Sequence, residues 1–475
     1  MRFVVLLGSP RGRESASRRM ARYAETVSQA EFRYIDVGRD ARSPEESQQR
    51  LDASLAEIAA ADAVIWAFPA YSFFLPAKMA VFLEAVVEGR HHPVLAGKPT
   101  IALMTSVRLA DDYVLHQLRR YGEKLDMNWV GDYSAPGSPY FGYHDNETLG
   151  RFFEPGHVVE QGIARLIGQL EDVVARGLVL PRRHARLAEG ELDYRPPGAA
   201  ADWPLPDAAG SKSGKTCVLL VHERTPQVEV LLAWLQRATR FEVSVEDLTA
   251  IEIRGCLGCY LCEQEGRGEC PLADEAFGLF ERMVNTDALV VVSEHQGFHV
   301  HPRLKTALDR MWSFAHREML SGRYALPVVL GPAAERHKVA DYLERYLGFA
   351  GCFLLPSLVW DRGTTPEQLL WSLQRFDRAV HEQSFLPRQF GVVAARLMLR
   401  DYVYRARQGL PLDFEHFRKR GMFDFPNISL ADRAWREILR RLMSRRGLRQ
   451  KLLWGRRRQL GLHHWPDFGP PDDSV

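Results

Sequence analysis

Four of the chain's six cysteines fall within one short stretch, "RGCLGCYLCEQEGRGECPLADE", at Cys256, Cys259, Cys262 and Cys270. Thiolates at this spacing converge on one centre only where the backbone turns tightly, and Gly255, Gly258, Gly266 and Gly268 permit that. Four such donors suit tetrahedral zinc or an iron–sulfur cluster. Zinc sites usually present two separated pairs. A C-x2-C-x2-C run with a fourth cysteine followed by proline, here Cys270-Pro271, resembles instead the runs that hold iron–sulfur clusters. A loop that holds no metal, or oxidises reversibly, stays open as a third alternative. Cys217 and Cys352 sit in apolar strands and read as core residues.

A second constellation opens the chain. Strand "RFVVLL" runs straight into "GSPRGRESAS" (8–17) and a helical stretch. Small hydroxyl residues and glycine between a first strand and a helix suit an anion, because loop N–H groups and the helix N-terminus point at it. Ser9, Ser15 and Ser17 add hydroxyl donors, and Arg11 supplies charge. The alternative is a tight turn and a helix cap with no ligand. The loop after the third strand, "FPAYSFF" (68–74), offers a flat apolar wall, and "TSVR" (105–108) follows the fourth strand. In a doubly wound sheet these loops meet at the switch point in strand order.

The elements that must position these loops come in two passes. Strands at 2–7, 32–37, 62–68, 100–105 and 129–134 alternate with helical patterns, and "SPEE" (43–46) reads as a capping box. Residues 181–214, with "YRPPGAAADWPLPDAAGSKSG", read as a linker. Within it "GSKSGKT" (210–216) fails as a phosphate-binding P-loop, since its first glycine is one residue too close and it precedes a strand. The rhythm then restarts with strands at 216–221, 241–248, 287–292, 326–330 and 352–356, with a single helix near 302–315, and "TPEQ" (365–368) caps a last helix. Residues 61–85 align on 286–310 without a gap at an offset of 225, pairing Asp62 with Asp287, Ala63 with Ala288, Phe73 with Phe298 and Leu83 with Leu308. The order of elements together with this match indicates an internal duplication. The expected fold is α/β, two doubly wound parallel sheets in tandem plus a basic helical C-terminal extension.

"GSPRGRESAS" together with "PAYSFFLPAKMAVFLE" resembles the flavodoxin-like NAD(P)H-dependent FMN reductases. The resemblance implies that Ser9, Arg11, Ser15 and Ser17 hold the FMN phosphate, that Pro69, Ala70, Tyr71 and Ser72 contact the ring, and that Thr105 and Ser106 complete the edge. Ala16 departs from the family pattern, which has a hydroxyl residue there in many members. The cysteine stretch resembles the compact motif of the iron–sulfur flavoproteins, which implies a 4Fe–4S cluster on Cys256, Cys259, Cys262 and Cys270. Related reductases carry much the same cysteines without metal. The second repeat has "VHER" (221–224) where the first has its anion loop, and Glu294-His295-Gln296 opposite Pro69-Ala70-Tyr71. One repeat keeps the flavin loops and the other keeps the cysteines. Iron–sulfur flavoproteins bring one protomer's cluster near another's flavin, so this chain reads as a fusion of such a pair.

The expected domains are a flavin domain (1–180), a linker (181–214), a degenerate domain with the cysteine loop (215–384) and a basic helical extension (385–475). His295, His299 and His301 read as surface or packing residues before a metal or substrate site. From Ser384 onward 19 Lys/Arg stand against 9 Asp/Glu, so the tail carries about +10 and the rest about −8. A basic tail lying on an acidic body is favoured over nucleic acid or a membrane surface. An apolar stripe at Trp435, Ile438, Leu439, Leu442 and Met443 fits a packed helix. No apolar run reaches the roughly 18 residues of a membrane span, and the N-terminal run is too short for a signal peptide. The expectation is a cytoplasmic flavin oxidoreductase, with NAD(P)H or ferredoxin as donor, a small-molecule or protein redox partner, and room for homo-oligomerisation. No titratable catalytic residue stands out. The alternatives are a metal-free FMN or quinone reductase and a non-catalytic scaffold that binds a partner through its tail.

Overall fold

A computed structural model describes residues 1–424 apart from 13–14, 39–43, 108–109, 137–155, 187–202, 260, 264–269, 271, 295–298, 331–335, 362, 406 and 408–409. The chain divides into two compact units, Met1–Arg420 and Gly421–Val475. Of the second, only 421–424 are described, so the stripe from Trp435 to Met443 lies outside the described residues, as do Ser43 of the first capping box and His295.

Five parallel strands form the first sheet: β1 (Arg2–Leu7), β2 (Glu31–Asp36), β3 (Ala63–Pro69), β4 (Pro99–Ser106) and β5 (Asn128–Pro136), in the order β2-β1-β3-β4-β5. Helices α1 (Ala16–Thr26), α2 (Pro44–Ala59), α3 (Ala77–Glu88), α4 (Asp111–Lys124) and α5 (Gly156–Arg176) alternate with or follow them. The second sheet repeats the plan with β6 (Thr216–Val221), β7 (Glu242–Asp247), β8 (Ala288–Glu294) and β9 (Tyr324–Leu330) in the order β9-β8-β6-β7. Two short strands, β10 (Phe353–Leu354) and β11 (Leu358–Trp360), both pair with β9. Its helices are α6 (Pro226–Ala238), α7 (Ala276–Val284), α8 (Pro302–Arg310), α9 (Trp312–His316), α10 (Arg336–Phe349) and α11 (Pro366–His381). Helices α12 (Phe390–Arg405) and α13 (Pro411–Lys419) form the described part of the extension.

Central strands covered on both faces need unbroken apolar runs. Residues 3–7 of β1, 63–68 of β3 and 288–293 of β8 are buried throughout. The order of the first sheet reverses between β1 and β3, so the loops that leave these strands diverge and open a crevice.

Two differences from expectation concern helices. The sequence reading ends the first domain's elements at a strand near 134. The structure adds α5, whose Val159, Ile163, Leu166, Ile167 and Leu170 bury a helical stripe against the first sheet. The single helix expected near 302–315 is broken at Met311 into α8 and α9. The capping box of α11 is present, with Thr365 and Gln368 each accepting from the other's backbone N–H.

The two repeats pack through equivalent elements. Helix α3 lies against α8, its counterpart at the offset of 225. Phe74 and His299, separated by the same offset, stack with ring centres 3.8 Å apart and planes 13° apart. A contact of a residue with its own counterpart marks a pseudo-two-fold axis, as in a symmetric dimer. Lys305 and Asp309, 0% and 2% exposed, pair beside that axis. Asp309 Oδ2 accepts the N–H of Ala77 at 2.9 Å, capping α3 from the other repeat, and Lys305 Nζ donates to Tyr71 O at 3.1 Å.

Removing one member of a buried ion pair leaves the other charge uncompensated. Asp309→Ala is therefore expected to lower unfolding stability by about 3–5 kcal/mol, read from urea denaturation. Lys305→Met with Asp309→Leu is expected to lose less than the single variant.

Candidate functional site

The anion loop is shaped by what it excludes. Gly8 N–H donates to Ala67 O at 2.9 Å, tying the loop to β3. A Cβ at Gly8 would lie 2.3 Å from Met79 Sδ and 3.1 Å from Phe68 Cβ, so a side chain there would have to displace Met79. Gly12, at φ 55, takes the left-handed turn that sends the chain into α1. Ser15 is the N-cap: its Oγ accepts from Arg18 N at 3.2 Å and donates to Gly12 O at 3.0 Å. Ser9, Ser15 and Ser17 are 2%, 3% and 1% exposed. Three buried hydroxyls around the N-terminus of an eleven-residue helix, with Arg11 beside them, fit a phosphate monoester.

The loop after β3 is held under strain. Ala70 N–H donates to Thr105 O at 2.7 Å, and Tyr71 and Phe74 exchange both backbone hydrogen bonds at 2.8 Å. Between them Ser72 (φ 44) and Phe73 (φ 65) adopt left-handed conformations usually left to Asn and Gly. Such conformations cost on the order of 1–3 kcal/mol each and persist where the surroundings enforce them. The second repeat does so here. Lys305 fastens Tyr71 O, Asp309 fastens Ala77 N, and Phe73 meets Phe349 edge-on at 5.2 Å.

The cysteine loop lies directly on these elements. A Cβ on Gly258, at φ 64, would stand 2.0 Å from Tyr71 Oη and 3.5 Å from Arg11 Cγ. One on Gly255 would stand 2.8 Å from Lys78 Cε. Arg310 clasps both feet of the loop: it donates to Arg254 O at 2.7 Å before the cysteines, and to both oxygens of Asp274 at 2.6 and 3.0 Å after them.

All ten residues of the three predicted flavin-site segments line one cavity. Its empty space, open mouth included, is about 1590 Å³. Cys256, Cys262 and Cys270 line the same cavity, whereas Cys259 is exposed. Burial pushes the Cys256 thiol up to about 12. Burial likewise raises Cys262, with Glu263 and the other three cysteines adding to the rise. Cys262 thus lies within electrostatic reach of the other three thiols. Among the described residues the group of three potential metal donors within 4.8 Å of one another is Glu263, His316 and Asp413, and no three of the cysteines come that close. Thiols in a cavity with the buried Arg310 cation beside them fit a multi-metal cluster as a donor set.

The remaining wall went unread in the sequence. Phe277, Phe280, Trp312 and Phe314 line it, with His316 and, from the extension, Leu399, Tyr402 and Leu410. Only the apolar periodicity of their helices hinted at them. His299 and His301 are structural: one stacks on Phe74, and the other caps α8 by accepting from Arg303 N. Cys217 and Cys352 are buried at 0% and 2% exposure in the second repeat.

A model of the family described as NADPH-dependent FMN reductase matches residues 1–138 and 227–365, one segment in each repeat. An iron-sulfur flavoprotein of Archaeoglobus fulgidus is 31% identical over 108 residues, 22% of this chain and 48% of that protein. The chain thus spans about half the length of that curated relative. Among solved structures, the apo form of an NADH:FMN oxidoreductase is 20% identical over 36% of this chain and 87% of its own, with a TM-score of 0.28. A flavoenzyme NAD(P)H:(acceptor) oxidoreductase of Paracoccus denitrificans is 14% identical over 37% and 97%, with a TM-score of 0.29.

The contact between Gly258 and Tyr71 gives a direct test of how the cysteine loop is seated. Gly258→Ala combines a left-handed backbone with a collision, and is expected to destabilise the chain by about 1–3 kcal/mol. Gly258→Ala in a Tyr71→Phe background, which removes the colliding hydroxyl, is expected to recover part of that loss in thermal unfolding.

Proposed function

This chain belongs to the NADPH-dependent FMN reductase family, whose model covers more than half of it, and we propose that it is a flavin-dependent oxidoreductase with FMN in its first repeat and a 4Fe–4S cluster on its second. One observation carries the reading: the flavin-site loops of one repeat and three cysteines of the other line a single cavity. The iron-sulfur flavoprotein relative supports the cluster. In this reading residues 1–180 form the flavin domain, 215–384 the cluster domain and 385–475 the extension.

When bound, FMN would accept hydride and release single electrons, which a cluster carries one at a time. The chain's own residues supply binding and position. Ser9, Ser15 and Ser17 with Arg11 hold the phosphate, and Pro69, Ala70, Tyr71 and Ser72 give the ring its wall. Thr105 and Ser106 complete the edge, and Ser106 Oγ donates to Asp111, which also accepts from Ser134 at 2.6 Å. Tyr71 stands between the flavin wall and the cysteine loop, so the same side chain borders both sites. Family membership makes NADPH the proposed electron donor. The redox partner is a small molecule or a protein. No described helix is long and apolar enough to cross a membrane.

The exposure of Cys259 favours a second reading, a metal-free reductase whose cysteine loop oxidises reversibly. Anaerobic purification separates the two. The cluster reading expects a brown protein with iron and sulfide near four per chain, and the metal-free reading expects a yellow one. Cys259→Ala is expected to abolish the broad visible band while FMN stays bound, as followed by absorption and flavin content. Loss of flavin together with iron would show that the two repeats do not divide the cofactors. Arg11→Ala is expected to weaken FMN binding about ten- to hundredfold, because hydrogen bonds to charged groups are the strong ones. Fluorescence titration measures this.

A further inference from the structure

The far wall of the cavity holds a buried histidine with an unused nitrogen. His316 is 3% exposed and lines the cavity. Its Nδ1 pairs with Asp413 Oδ2 at 2.7 Å, and its Nε2 has no partner. Arg317 fixes the arrangement, donating from Nε to Asp413 Oδ1 and from Nη2 to Glu263 Oε2, both at 2.8 Å. Trp312 meets the imidazole edge-on at 4.2 Å. A buried polar atom without a partner carries a desolvation cost that a ligand's hydrogen bond removes.

Asp413 stands on α13, and neither it nor Leu399, Tyr402 or Leu410 falls in the segments matched by the family model. The extension thus adds to the cavity a wall and an orienting carboxylate that the repeats lack. Phe277 and Phe280 pack on Phe314 with ring centres 5.7 and 5.4 Å apart, giving aromatic surface beside His316. Charge narrows the ligand. Glu263, His316 and Asp413 lie within metal-donor reach of one another, but Arg317 already bridges both carboxylates and sets a positive charge where a cation would sit. Arg317 likewise offsets the carboxylates, so the network as it stands calls for no further charge of either sign.

We propose that this wall forms a second binding site of the cavity, which takes a neutral, planar, conjugated molecule with a rim oxygen, of phenol or quinone type, held at His316 Nε2. Its role as the flavin's redox partner rests on the reading above, whereas its binding does not. A phenolic hydroxyl would donate to Nε2 of the neutral imidazole, and a quinone carbonyl would accept from the imidazolium.

The test titrates the full-length chain, saturated with FMN, with 1-naphthol and with 1,4-naphthoquinone by calorimetry. At least one is expected to bind one per chain, and His316→Phe is expected to weaken it about tenfold with FMN affinity unchanged. Binding of 1,4-naphthoquinone would show that Nε2 donates, because a quinone oxygen only accepts, whereas 1-naphthol fits either role. The proposal is overturned if neither probe binds the FMN-saturated chain, or if His316→Phe binds them as tightly as the wild type. Should that variant not fold, Leu399→Trp, which narrows the site from the extension, is expected to block the probes, and unchanged binding would overturn the proposal equally. Were FMN itself not to bind, the flavin reading would fail while the same titration of the flavin-free chain still decided this one.

Discussion

A lysine and an aspartate buried one turn apart on α8 hold the cavity together. Taking both charges out of water is costly, so the Lys305–Asp309 pair is a poor device for stability alone. Its value is geometric. Asp309 caps α3 and Lys305 grips Tyr71 O, so the pair fastens both ends of a strained turn in the other repeat. The left-handed Ser72 and Phe73 are tolerable only while that grip lasts. Tyr71 is presented by the same turn, and the cysteine loop rests on Tyr71. The proposed flavin wall and the cysteine loop are therefore both tied to this buried contact between the repeats.

Duplication alone would give two anion loops, and the second has been closed. At its counterpart Arg224 is engaged by Glu229 at 2.6 Å, and Thr225 donates to Glu294 at 2.7 Å. Glu294 is the counterpart of Pro69 at the offset of 225, and burial raises its carboxyl above the usual range. A carboxyl group near the switch point opposes a phosphate. The aromatic turn of the first repeat packs on its own counterpart in the second, where Phe74 covers His299. The asymmetry is thus chemical: the first repeat sets hydroxyls and an arginine at its anion loop, and the second sets a carboxyl group beside the equivalent loop.

What was legible in the sequence was contiguous. The segments at 9–17, 69–72 and 105–106 each follow a strand of one sheet, so the switch-point rule alone brings them to one crevice. The cysteines were legible for the same reason, being one loop. Contacts between elements distant in sequence were not. Lys305 and Asp309 at i, i+4 look like any surface helix pair, and nothing local says that both are buried. His316 and Asp413, 97 residues apart, meet only because α13 packs near α9. Helix α5 is a different case. Its stripe at Val159, Ile163, Leu166, Ile167 and Leu170 has clear period, and it went unread because the strand-by-strand reading stopped at β5.

The described part of the extension shows where some of its positive charge goes. Arg396, on α12, donates to the backbone carbonyls of Ala315, His316 and Phe349, at the C-terminal ends of α9 and α10. Helix ends with unpaired carbonyls attract cations, so this arginine is both a cap and a fastener. Glu318 receives Arg388 and Arg396 together. Part of the charge difference between tail and body is therefore neutralised within the chain, where it attaches α12 to the second repeat. Once α12 is fixed there, α13 can deliver Asp413 to His316, and Leu399 and Tyr402 to the cavity. The repeats supply the loops common to the family, and the segment outside the family match shapes the part of the cavity that those loops leave open. What this chain binds beside the proposed flavin is then to be sought in the extension before the sheets.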